Sequence, residues 1–214
     1  MDIFFVYDKI IIEVYMKKKK DNLDIIFDLM KKNNGYITSG MLDSLGIHRM
    51  YLQMLIKKNY IRKVDKGIYI DVNVVNDKLY TFSLRNDHFI YSHFTSLFIH
   101  NFINTIKNEY DITVTNDYHN PTLKNNNIFY VSEDNYLLGR KKVKTNHGNY
   151  VICYDLERTI CDIIRSRRRF LEKDVNRVID KYLRSTNRNL NKVYNYAKKL
   201  NIYNEVYKYL NRES

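Results

Sequence analysis

TSGMLDSLGIHRMYLQMLIKKNYIRKVDKGIYI, residues 38–70, decides how this chain is read. Thr38 and Ser39 are N-cap residue types, whose hydroxyl oxygens accept from the free N–H groups of a helix's first turn. The spacing after them predicts a short helix with Met41, Leu42 and Leu45 turned inward, closed by a tight turn at Gly46. A longer helix is predicted from about His48 to Asn59, with Leu52, Leu55 and Ile56 as its buried stripe. Ile61-Arg62-Lys63-Val64 and Gly67-Ile68-Tyr69-Ile70 flank Asp65-Lys66 and read as a β-hairpin. Upstream, Leu23, Ile26, Phe27 and Met30 recur at helical spacing and stop at Asn33-Asn34-Gly35. Three helices followed by a hairpin is the plan of a winged helix-turn-helix, whose last helix enters the DNA major groove.

On that last helix His48, Arg49, Tyr51 and Gln53 fall mostly away from the apolar stripe. Arg can bond guanine bidentately and Gln adenine, so both are candidate base readers. Lys57 and Lys58 follow a turn or two later, where phosphate contact is expected. Arg62, Lys63 and Lys66 make the hairpin basic, and a basic hairpin beside a groove adds affinity without sequence choice. Any one of these residues could equally be an ordinary solvated side chain. The argument rests on the set, because helix face and hairpin belong to one fold.

The chain has 214 residues and a net charge of +12, with 44% hydrophobic and 28% charged residues. The hydrophobic share argues for folded domains rather than disorder. The charge attracts polyanions, nucleic acid first among them. Abundant Asn, Lys, Ile and Tyr with 1 Pro and no Trp also follow from AT-rich coding, so where the charges sit matters more than their number. Cys153 and Cys161 have no metal-ligand spacing, and a reducing cytoplasm is the default compartment. Residues 1–20 lack the charge order of a signal peptide and are too short and too charged to span a bilayer. Met16 flows straight into the first periodic helix, so residues 1–15 read as an over-called start or a short extension.

From Val74 the pattern changes, giving expected domains at 21–73 and 74–214 behind an extension at 1–20. Short helices are expected at Asp77–Arg85 and His93–Phe102, with strands at Phe89–Tyr91, Asp111–Thr115, Ile128–Ser132, Gly139–Lys144 and Asn149–Tyr154. The loop from His119 to Asn127, which holds the Pro and an Asn cluster, is expected to be mobile. Everything after Asp155, itself a natural N-cap, is helical. The expected class is α+β: an N-terminal winged helix-turn-helix, a mixed α/β body and a C-terminal helical tail.

Two constellations in the body could carry chemistry. Ser92-His93-Phe94-Thr95 would place a hydroxyl nucleophile beside an imidazole, but no Gly-flanked elbow surrounds it. Its bland reading has Ser92 capping a helix and His93 making a structural hydrogen bond. His100 follows seven positions later with no third ligand for a metal. In the stretch Asp155 to Arg165, Arg158–Asp162 and Asp162–Arg165 are spaced to pair along one helical face. Asp155, Glu157 and Asp162 do not share a face, which counts against a Mg²⁺ nuclease site. Arg165, Arg167, Arg168 and Arg169 form a basic run, a solvated helix end or an extension of a nucleic-acid footprint.

Taken together, Gly35-Tyr36-Ile37-Thr38, Leu45 to Leu52 and Gly67-Ile68-Tyr69 resemble the N-terminal domain of AbiEi-type antitoxins from bacterial abortive-infection, type IV toxin–antitoxin systems. Tyr91 to Leu97, Tyr154 to Arg165 and Leu190 to Leu200 continue the resemblance, which covers nearly everything after Asn22. Phe94 stands where relatives often carry an acidic residue and Asn101 where glycine is common, so no catalytic role is carried over to that helix. The resemblance implies an autorepressor that binds inverted repeats in its own promoter DNA. It also implies a C-terminal domain that counteracts a nucleotidyltransferase-like toxin in phage defence without a tight complex. Asp155, Arg158, Asp162 and Arg165 are the motif this domain would use, structurally or functionally. No cofactor, metal, membrane or catalytic activity is expected. The alternatives are a winged-helix-targeted nuclease and an effector-binding transcription factor.

Overall fold

The computed structural model describes residues 21–211, so the expected extension at 1–20 lies outside the described residues. Contacts along the backbone divide the chain into two units, one ending at Thr81 and the other beginning at Phe82. Both are built from helices and sheet; the protein is of mixed α+β class, with ten α-helices and two sheets among the described residues.

In the first unit α1 (Asn22–Lys32) is followed by β1 (Tyr36–Thr38), α2 (Ser39–Ser44), α3 (Met50–Lys57), β2 (Ile61–Asp65) and β3 (Ile68–Asp71). Thr38 caps α2 by accepting from the Met41 N–H at 3.1 Å. Ile26, Met30, Ile37, Leu42, Ile47, Leu52, Leu55 and Ile61 make one apolar core. Two residues of the expected stripes stay outside it. Leu45 is exposed because the chain leaves α2 there, turns at Gly46 (φ +67°) and returns Ile47 to the core position. Phe27 is also exposed and packs edge-on against Tyr60, its centroid 5.9 Å away.

The three-stranded sheet runs β1-β3-β2, all antiparallel, and β1 was not visible as a strand from three residues beside a glycine. Gly67 (φ +72°) sits in the β2–β3 turn, where an added Cβ would lie 2.7 Å from the Ser39 hydroxyl. The left-handed backbone favours glycine there, and a Cβ would also oblige the Ser39 hydroxyl to turn away. Residues beyond β3 also pack in this unit: the Tyr36 hydroxyl accepts from the Asp77 N–H at 2.8 Å, and the Tyr36 and Tyr80 rings meet edge to face. The helix α4 (Lys78–Ser83) runs through the division.

The second unit holds a mixed five-stranded sheet in the order β6-β5-β4-β8-β7, formed by β4 (Ile90–Tyr91), β5 (Asp111–Thr115), β6 (Asn127–Val131), β7 (Arg140–Lys144) and β8 (Tyr150–Tyr154). Helices α5 (His93–Ile99), α6 (Glu133–Tyr136), α7 (Leu156–Arg165), α8 (Glu172–Arg184), α9 (Leu190–Lys199) and α10 (Tyr203–Leu210) complete it. The longer helices bury a shared apolar cluster that includes Leu97, Ile160, Ile163, Ile164, Val178, Val193 and Val206. The 119–127 loop is shaped by its own side chains. Asn120 accepts from the Thr122 N–H at 2.9 Å, opening a 3₁₀ turn at Pro121–Leu123 that buries Leu123. Among the described residues no helix is long and apolar enough to cross a membrane.

Candidate functional site

Of the residues expected to read bases, those at the start of the helix are engaged locally. Helix α3 begins at Met50, so His48 and Arg49 precede its first turn rather than lying within it. The His48 Nδ1 accepts from the Met50 N–H at 3.1 Å, capping the helix. Arg49 donates from Nε to Asp43 Oδ1 at 2.8 Å and from its terminal nitrogen to Oδ2, a two-point ion pair back to α2. That hydrogen-bonded guanidinium holds the Asp43 carboxyl below its ordinary value. Tyr51 is half-buried against the core, and its hydroxyl accepts from Asn22 at 3.2 Å. Gln53, Lys57 and Lys58 are exposed.

In the hairpin Lys63 and Lys66 are exposed, while Arg62 donates to the Val74 carbonyl at 3.0 Å. A bulge between Lys63 and Asp65 shifts the register of β2 against β3. Arg49, Gln53 and Lys66 line one cleft of about 490 Å³ with Ser39, Leu52, Gly67 and Tyr69, joining α3 to the hairpin tip. Lys57, Arg62 and Lys63 are not in it. Asp43 is the member sequence reasoning missed: six positions from Arg49 across a glycine turn, it follows no helical or strand spacing.

The second constellation is a buried polar cluster on α7. Arg158 and Asp162 are both fully buried and paired, Nε to Oδ2 at 2.9 Å. Arg158 Nη1 donates to the Asn135 and Leu138 carbonyls, each at 2.7 Å, and the guanidinium lies 4.2 Å from the Tyr154 ring centroid. Arg165 reaches Asp162 Oδ1 at 3.1 Å as an ion pair without hydrogen-bond geometry. Asp155 caps α7 by accepting from the Arg158 N–H at 2.9 Å, and its other oxygen takes Tyr196 and Lys192, also at 2.9 Å. Glu157 faces Lys192 at 3.3 Å. Gly139 (φ +79°) lets the chain pass, since a Cβ there would sit 2.6 Å from Arg158 Cβ. The carboxylates of the motif are thus held by protein donors. Among the described residues no group of three or more His, Cys, Asp or Glu could hold a metal ion.

His93 is fully buried at φ +44°, stacked on Phe129 with centroids 3.5 Å apart. Its ring nitrogens meet the Ser92 hydroxyl at 2.9 Å and the Ser166 hydroxyl at 3.1 Å. Burial, aided by Arg165, Arg169 and Arg158, pushes its pKa well below the usual histidine value. Ser92 makes no capping bond to α5 because its hydroxyl is turned to His93; Asp111 of β5 takes that role, accepting from the Phe94 N–H at 2.9 Å. His100 is separate, near the Tyr154 carbonyl (2.8 Å) and Cys153 (3.6 Å). Burial pushes the Cys153 thiol up to about 12, and that of Cys161 up as well, so both are unreactive core residues. The arginine run is not uniformly free: Arg167, half-buried, donates to the Ile164 carbonyl and exposed Arg169 to that of Ile128, whereas Arg168 is exposed.

Residues 24–70 match a family model described as a transcriptional regulator, AbiEi antitoxin. That span runs from α1 to β3, wholly inside the first unit. No curated protein matches the chain. Among solved structures, the chain is similar to the RV2827C protein from Mycobacterium tuberculosis at 8% identity, over 89% of this chain and 80% of that one, with a TM-score of 0.39.

Proposed function

We propose that the chain is an antitoxin that represses its own operon. Its first unit acts as a winged helix-turn-helix on inverted repeats in promoter DNA, and its second unit counteracts a nucleotidyltransferase-like toxin in the cytoplasm. The carrying observation is that the residues matching the antitoxin regulator model are the ones that set an exposed polar helix face beside a basic hairpin. Gln53 and Arg49, gathered with Lys66 in one cleft, are the base-reading candidates; Lys57, Arg62 and Lys63 serve phosphates. His48, just ahead of the helix, and Tyr51, in its first turn, support α3. In the second unit Asp155, Arg158, Asp162 and Arg165 hold α7 in place, and the toxin-facing surface lies outside this buried cluster. A nuclease would need carboxylates free to take a metal, whereas those on α7 are taken up by Lys192, Tyr196, Arg158 and Arg165.

The test is binding of the purified chain to its own upstream DNA across a salt series. Tight binding relative to unrelated DNA is expected. The logarithmic salt slope should fall by about 2 in the Lys57→Ala/Lys63→Ala double variant, near 0.9 for each phosphate that is no longer neutralised. Gln53→Ala should cost about 1–3 kcal/mol of base discrimination. Equal affinity for any DNA would end the autorepressor reading. Co-expression with the neighbouring reading frame addresses the other half: growth arrest that this chain does not relieve would end the antitoxin reading.

A further inference from the structure

The second unit contains a cavity of about 900 Å³ between α5, the segment after it, β5, β6 and the start of α8. That volume lies within the ~300–1,000 Å³ of small-molecule sites. Nothing in the proposed regulatory function uses it, yet three kinds of recognition chemistry meet there.

One wall is aromatic. Half-buried Phe170 and Phe94 lie edge-on at 4.9 Å and give the opening an apolar lining, while Phe129 behind them is buried, its ring covered by His93 and Arg169. The rim is cationic, with five Lys or Arg against three Asp or Glu. Arg169 is positioned in advance by the Ile128 carbonyl at 3.0 Å and the Phe129 ring at 3.9 Å. Arg168 and Lys107 are exposed and form no ion pair with a described residue. The third element is Asp111, only 4% exposed. Its oxygens accept from the Phe94 N–H at 2.9 Å and the Asn127 amide at 3.0 Å, with no ion-pair cation among the described residues. Each carboxylate oxygen keeps an acceptor site. Burial raises this carboxyl above its ordinary value, so a donor arriving with a ligand would be welcome there.

A flat ring for the phenylalanines, an anionic end for the arginines and an N–H edge for Asp111 are combined in one common class of molecule. We propose that this cavity binds a nucleoside monophosphate, with the phosphate at Arg168, Arg169 and Lys107, the base against Phe94 and Phe170, and a ring N–H donating to Asp111. Bases that carry a ring N–H, guanine and uracil, are favoured over adenine and cytosine, which offer only an exocyclic amine at that edge.

Isothermal titration of the full chain with GMP, UMP, AMP, CMP, guanosine and inorganic phosphate tests this. GMP or UMP should bind saturably, at least tenfold tighter than AMP, CMP, guanosine or phosphate. Arg168→Glu/Lys107→Glu, both at exposed positions, should weaken that binding at least tenfold, and Asp111→Asn should erase the preference among bases. The exposed pair keeps the test decisive if the buried Asp111 variant folds poorly. No saturable nucleotide binding, phosphate alone binding as tightly as GMP, or indifference to the charge-reversal pair would each overturn the proposal.

Discussion

Arg158 is the bulkiest side chain among the described residues to be fully buried, and it is charged. A buried guanidinium is least costly where its charge is paired and most of its donors are met. Asp162 supplies the charge and takes Nε, two carbonyls beyond α7 accept from Nη1, and Tyr154 lies against the guanidinium, while Nη2 has no hydrogen-bond partner among the described residues. Asp162→Ala would strand that cation, and the expected cost is roughly 3–5 kcal/mol in denaturant unfolding. The double change Arg158→Met/Asp162→Leu should cost less than Asp162→Ala alone; the reverse order would show that the pair itself, not the stranded charge, governs stability. His93 makes a different prediction. Its folded pKa is depressed by burial, so the unfolded chain binds more protons once pH falls below about 6.5. The stability it contributes is therefore complete above that pH and declines as pH drops toward the folded value. The slope is at most about 1.4 kcal/mol per pH unit for one proton. His93→Asn, which tolerates the left-handed backbone, should flatten the loss between pH 7 and pH 5. His100, shifted the same way by burial, leaves part of the slope in that variant.

At the scale of elements, helix α3 and the hairpin raise the question of how an arginine can read a base while held by a carboxylate. Arg49 and Asp43 are both well exposed, so their pairing is an exchangeable surface contact. If Arg49 reads a base, it must give up Asp43 to do so. Asp43→Ala should then tighten binding to the upstream DNA severalfold in fluorescence anisotropy while leaving unrelated DNA less affected. Equal tightening on both would mean that only a repelling charge had been removed. The same elements show what local sequence conveys. The Thr38 and Asp155 caps and the Leu52–Leu55 stripe lie where spacing puts them, because capping and periodicity act within a few residues, whereas the hairpin turns at Lys66–Gly67, one residue beyond the expected Asp65-Lys66. Leu45 and Phe27 had the same periodicity and came out exposed, since a stripe identifies a face but not where a helix ends or how wide its partner is. Asn101 shows a subtler case: at φ +56° it occupies a conformation suited to glycine, which asparagine tolerates better than most residues.

Over the whole molecule, the α+β class, the helical end and the basic character of helix and hairpin were legible from residue order and charge. These depend on side-chain chemistry repeated at short intervals, which a single chain displays openly. The candidate cavity was not legible, because Asp111, Phe129 and Arg169 lie on elements far apart in sequence and share no spacing rule. Nor was the partner of each polar group. Spacing allowed Arg158 to pair with Asp162, but not the carbonyls of Asn135 and Leu138 some twenty residues upstream, and it could not show that Asp111 would cap α5 in place of Ser92. The sequence by itself determined most of the longer helices and strands and which faces carry charge, but not the three-residue β1 or the short α6. Only the tertiary structure decided which charges are buried, which are engaged and which remain free to bind, because burial and pairing are set by packing between distant segments rather than by the order of neighbours.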